Sequence, residues 1–168
     1  RSRLGWRFVV FRNKEMPYRS DIAEVDLHWR VTTEHRMMPK PGELLKRAVS
    51  VQAANRTIPT LCPVDALAAT AFHFYQDYCQ SPRRLVDFLR LYTRVNCQEL
   101  SELPEASAQI IADVLGLCRN LFGLVLTIPR AELPAPSQKN IQAMERMFWR
   151  AGVEQYMQAK THPFTRNY

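Results

Sequence analysis

The sequence predicts an α+β chain, a β-hairpin followed by a mostly α-helical bundle, and three observations lead there. Two aromatic and β-branched segments occupy the first 31 residues, and one of them alternates in period two. From Pro41 onward the apolar residues recur at helical spacing. The 168 residues are 46% hydrophobic and 23% charged, which is the composition of one ordered globular domain. No apolar run approaches the roughly 18 residues that a membrane-spanning helix requires, and five glycines with eleven scattered prolines exclude collagen-like sequence.

The first strand is expected at Trp6 to Phe11 (WRFVVF) and the second at Ala23 to Val31 (AEVDLHWRV), joined by a long polar loop, RNKEMPYRSD. In the second strand Val25, Leu27, Trp29 and Val31 share one face, while Glu24, Asp26, His28 and Arg30 share the other. The first of these faces belongs against a core, with Trp29 expected to pack there. The second lines up carboxylate, imidazole and guanidinium at steps of two.

PGELLKRAVSVQAA, starting at Pro41, carries Leu44, Leu45, Ala48 and Val49 on one side and reads as a helix. CPVDALAATAFHFYQDY follows, with Pro63 in its first turn and Asp65 near the positive end of the helix. In SPRRLVDFLRLYTRV, Ser81 is the expected N-cap, and Leu85, Phe88, Leu89 and Tyr92 form the buried stripe. A short helix near Gln98 to Leu103 precedes a longer one from about Glu105 to Phe122. TIPRAELPAPS separates these from a last helix running from Gln138 to about Lys160.

The net charge of +7 is concentrated at the N-terminal end, where residues 1 to 20 hold Arg1, Arg3, Arg7, Arg12, Lys14 and Arg19 against the single acid Glu15. Such a segment suits a phosphate-rich partner, nucleotide or nucleic acid, but with no RNP, zinc-finger or basic-zipper motif beside it a solvated basic hairpin is the more ordinary reading on charge alone. Cys62, Cys79, Cys97 and Cys118 form no CxxC and no zinc-type Cys/His spacing, so they are expected to be reduced, structural thiols of a cytoplasmic protein. Because the chain opens at Arg1 directly in strand-like sequence, the natural polypeptide is expected to extend further upstream.

The string EVDLHWRV, from Glu24, resembles the apolar-Asp-apolar-His-Trp signature of the uncharacterised nucleotidyltransferase family in the polymerase-beta-like superfamily. The likeness continues through IPTLCPVDALAATAFHFY, RRLVDFLRLYTRV and ASAQIIADVLGLCRNLFG, covering about residues 6 to 123. Its most specific elements are VDLHW and the RRLVD helix. The resemblance implies that residues 1–40 are the C-terminal strands of a nucleotidyltransferase-like sheet and that 41–168 form a helical domain. It implies Mg²⁺-dependent transfer of NMP from an NTP to a hydroxyl acceptor that the sequence does not name. In that superfamily two carboxylates come from a D-x-D or D-x-E strand after a Gly-Ser turn and a third from a neighbouring strand. Asp26 matches the third, a metal ligand and catalytic residue. His28, on the same face, is expected to orient Asp26 or contact phosphate, and Arg30 to pair with Asp26 or with the nucleotide phosphates.

No Gly-Ser turn followed by D-x-D occurs in these 168 residues, so two of the metal ligands are expected upstream of Arg1, and the chain by itself is expected to be inactive. The competing expectation is a non-catalytic helical interaction module whose basic hairpin docks a protein or nucleic acid. His73, between Phe72 and Phe74, is expected as a core or groove histidine, and Asp87 as a structural anchor able to pair with Arg84. Arg30 and His35 fit the R-x4-H spacing of small helical RNases, but the arginine closes a strand, where that geometry fails. P-loop, G-x-S-x-G and H-E-x-x-H motifs are absent from the sequence.

Overall fold

The computed structural model describes residues 7–8, 15–19, 24–28, 38–77, 79, 81–123 and 133–161, and side chains within those ranges from 38 to 152 except Cys97. The chain is α+β. It divides into two compact units, Arg1–Cys62 and Pro63–Tyr168.

The first unit opens with a three-stranded antiparallel sheet in the order β1 (Arg7–Phe8), β2 (Glu15–Arg19), β3 (Glu24–His28). The hairpin expected from the sequence is therefore a meander, because the expected polar loop contains the middle strand. Its sequence, EMPYR, alternates Glu15, Pro17 and Arg19 with Met16 and Tyr18, a period-two pattern that the proline and the charges hide.

Helix α1 (Pro41–Lys46) is short. Pro41 presets its first turn, and the Lys40 amide donates to Glu43 Oε2 at 3.2 Å. The helix expected to run on through Val49 and Val51 stops at Arg47, and the chain turns into β4 (Val49–Ala53) and β5 (Arg56–Thr60). These two strands pair antiparallel through a two-residue turn, Ala54–Asn55, with Ala54 in the left-handed region at φ 54. Val49, Val51 and Ile58 are β-branched and stiff at χ1, which favours the strand. Every residue of the hairpin is exposed.

The second unit is helical: α2 (Pro63–Gln76), α3 (Pro82–Tyr92), α4 (Cys97–Ser101), α5 (Glu105–Phe122) and α6 (Gln138–Thr161). Ser81 stands at the N-cap of α3 in extended conformation, its carbonyl accepting from the Arg84 amide at 3.0 Å. Asn96 caps α4 through a reciprocal pair: the Glu99 amide donates to Asn96 Oδ1 at 2.9 Å, and the Asn96 amide donates to Glu99 Oε2 at 3.0 Å. Gly123 ends α5 in the left-handed conformation, φ 62, with its amide on the Arg119 carbonyl.

Helix α5 is the centre of this unit. Its residues Ile111 to Cys118 are all buried, and it packs against α2 on one hand and α6 on the other, while α3 packs against α2. Leu67, Phe74, Leu85, Phe88, Ile111, Leu115, Leu117 and Met144 are fully buried. Each contributes about 1.5–3 kcal/mol relative to exposure. Gly116 permits the close approach of α6, since a Cβ there would overlap Ile141 Cδ1 and lie 3.1 Å from Ile141 Cγ1.

Candidate active site

Asp26 and His28, the residues singled out by the sequence, both lie on β3. Strand β2 pairs with it without a break, Glu15 opposite His28, Pro17 opposite Asp26 and Arg19 opposite Glu24. Strand β1 adds Arg7 opposite Arg19 and Phe8 opposite Tyr18. Directly opposed residues share a sheet face, and alternate residues of a strand do too. Glu24, Asp26 and His28 therefore fall on one face together with Glu15, Pro17, Arg19 and Arg7. Val25, Leu27, Met16, Tyr18 and Phe8 fall on the other. The amphipathic pattern read in one strand thus extends across three.

In the strand register Arg19 stands opposite Glu24 on one side and Arg7 on the other, and Glu15 stands opposite His28. Asp26 instead faces a proline, which brings no charge of its own. Glu15 and Arg19 as members of this face were missed by sequence reasoning; the alternation of Met16 and Tyr18 was the available signal. The side chains of Asp26 and His28, and the whole of Trp29, Arg30 and His35, lie outside the described residues, as do Arg1, Arg3, Arg12 and Lys14.

Other singled-out residues are placed by the helical unit. His73 is half-buried on α2, edge-on to Phe72 with ring centroids 6.4 Å apart. Arg84 does not pair with Asp87; it reaches back to Asp77 at the end of α2, and Asp87 sits between Arg83 at 4.0 Å and Arg90 at 3.8 Å. Asp87 thus has one arginine a turn before it and one a turn after it, while Arg84 is engaged by Asp77. The thiols of Cys62, Cys79 and Cys118 are buried. Burial pushes the Cys79 and Cys118 thiols up from 9.0 to about 12, which disqualifies them as nucleophiles at neutral pH. Among the described residues no group of three or more His, Cys, Asp or Glu could hold a metal ion, and no helix is long and apolar enough to cross a membrane.

The strand with Asp26 and His28, the hairpin and the helices through α5 all lie within the span, residues 2–122, that matches the model of the uncharacterised nucleotidyltransferase family. The chain belongs to that family. Membership in a nucleotidyltransferase family implies a nucleoside triphosphate as substrate. The match ends at the close of α5, so α6 lies beyond the region that defines the family. No curated protein and no solved structure matches the chain.

Proposed function

We propose that the chain forms the C-terminal strands, residues 1–40, and the helical domain, residues 41–168, of an enzyme that transfers NMP from an NTP to a hydroxyl acceptor. The observation that carries this reading is the placement of the family's Asp-x-His pair on β3, at alternate positions of a strand held in unbroken register by β2. A carboxylate and an imidazole on one face of a fixed strand are spaced to act on the same phosphate chain.

The donor chemistry suits Mg²⁺, a hard cation that takes oxygen ligands, and Asp26 is the residue that would hold it. Asp26 is one carboxylate of the family's three, so the other two would come from a Gly-Ser and D-x-D strand, a motif absent from these 168 residues. When bound, the ion supplies charge neutralisation at the triphosphate and activation of the attacking hydroxyl. The residues of this chain have separate tasks. Asp26 fixes negative charge beside the phosphates. His28, two residues on, holds the Asp26 carboxylate in place or donates to a phosphate oxygen. Arg30 continues the same alternation and donates to phosphate, where a guanidinium binds bidentately. NTP and the unnamed acceptor are the partners, and the location is cytoplasmic.

The six basic residues against one acid in residues 1 to 20 suit a second reading, a non-catalytic helical interaction module whose basic hairpin docks a protein or nucleic acid partner. Titration calorimetry with MgATP separates the two, using this chain and a version extended upstream through its next Gly-Ser and D-x-D motif. Weak or absent binding by residues 1–168 and Mg²⁺-dependent binding by the extended protein is the expected result. Tight Mg²⁺-dependent binding by residues 1–168 alone refutes the assignment of the missing ligands, and binding by neither protein favours the module.

A further inference from the structure

Helix α6 carries a face that the nucleotidyl-transfer reading does not use. At 100° per residue, the buried positions Ile141, Met144 and Ala151 form a stripe along α6. The opposite face presents Lys139, Gln142, Arg146, Trp149 and Arg150, all exposed. Among the described residues this face carries the cations Lys139, Arg146 and Arg150 and one large aromatic ring, with Glu145, half-buried, to its flank. Trp149 is 57% exposed, and its ring is set edge-on to Phe148 with centroids 5.5 Å apart.

This face is held firmly. At the start of α6, the buried Asp113 of α5 accepts from the Ser137 amide and from Asn140 Nδ2, both at 2.7 Å. One turn of chain later Ile141 seats over Gly116. The outward residues therefore sit on a rigid rod, with Lys139 and Arg150 about 16 Å apart along its axis.

We propose that the outer face of α6 is a docking surface for single-stranded nucleic acid, with Lys139, Arg146 and Arg150 on the phosphates and Trp149 stacked on an unpaired base. The charge complementarity calls for a polyanion, and the tryptophan in its midst calls for one with planar, apolar groups between its charges. A lipid surface fits poorly. An interfacial helix must offer an apolar stripe to the acyl boundary, and here that stripe is consumed by packing within the bundle. Duplex nucleic acid offers no unstacked base to Trp149. The assignment stands independently of the transfer reading, since α6 lies outside the family-matched span.

The test is fluorescence anisotropy of the full 168-residue chain against 5′-fluorescein 20-nucleotide RNA and DNA single strands, starting at about 50 mM salt. Expected are saturable binding and a slope of log K against log salt near −2, from three phosphate contacts at about −0.7 each. Trp149→Ala should weaken binding on the order of tenfold and Trp149→Phe much less, because any ring can stack. Lys139→Glu with Arg146→Glu should bring the slope towards zero. Circular dichroism checks that these exposed substitutions leave the helices intact. Absence of binding overturns the proposal, and so does binding that all variants retain, which would place it elsewhere on the chain, the basic N-terminal segment included. Equal affinity for heparin without dependence on Trp149, or preferential binding to phosphatidylserine vesicles, overturns it as well.

Discussion

Asp113→Ala should detach the start of α6 from α5 at a cost of about 2–4 kcal/mol. The carboxylate is only 3% exposed and accepts three hydrogen bonds, from the Ser137 amide at 2.7 Å, Asn140 Nδ2 at 2.7 Å and Gln109 Nε2 at 2.9 Å. Asn140 is exposed and Gln109 half-buried, so both recover water when the carboxylate is removed. The Ser137 amide recovers least, and leaving such a group unpaired costs roughly 1–3 kcal/mol. Loss of a negative charge at the N-terminus of a long helix adds roughly 0.3–1 kcal/mol. For a chain of this size each kcal/mol lowers Tm by about 2–4 °C, so a fall near 10 °C is expected in thermal and urea unfolding. Asn140→Ala alone should cost less than 1 kcal/mol, and the double variant should show a coupling of about 1 kcal/mol. A change below about 0.5 kcal/mol for Asp113→Ala would refute the idea that this carboxylate anchors α6.

Gly116→Val should destabilise the chain by roughly 1–3 kcal/mol, because the added branches meet Ile141, and Pro136 Cβ already lies 3.4 Å from the site of a Cβ; calorimetry of the variant alone and with Ile141→Ala measures the clash and its relief. Cys79 and Cys118 ionise near 12 when folded and 9.0 when unfolded, so the unfolded chain releases its thiol protons first. Stability should be insensitive to these thiols below pH 9 and fall between pH 9 and 12, by up to about 1.4 kcal/mol per pH unit for each thiol. Urea titrations on wild type and on Cys79→Ala with Cys118→Ala should differ in slope across that window, and coincident slopes would contradict the assignment.

The helical unit was legible because its signals agree. Pro82 after Ser81 and the Leu85 and Phe88 spacing mark a helix that the structure keeps, and α5 spans the expected Glu105 to Phe122. The β4–β5 hairpin was not legible for a local reason: Leu44, Leu45, Ala48 and Val49 satisfy a helical stripe, and the turn Ala54–Asn55 has no glycine to announce its left-handed residue. Strand β2 was concealed by Pro17, a residue that argues against an interior strand, although Met16 and Tyr18 keep the alternation. Asp26 and His28 were visible because the motif is contiguous. The neighbours brought beside them, Glu15 and Arg19, became visible only with the register, a property of two strands together.

The most direct test of the account is label transfer by the upstream-extended protein, from each of the four NTPs to a pool of protein, RNA and small hydroxylated acceptors, wild type against Asp26→Asn. The substitution keeps the shape of the side chain and removes its charge, which is expected to be worth several kcal/mol in the transition state, a rate loss on the order of a thousandfold. His28→Ala should cost less if His28 positions its neighbour. Mg²⁺-dependent transfer by wild type, abolished in a folded Asp26→Asn protein, is the predicted result. Equal transfer by the two proteins would contradict the assignment of Asp26 as a metal ligand.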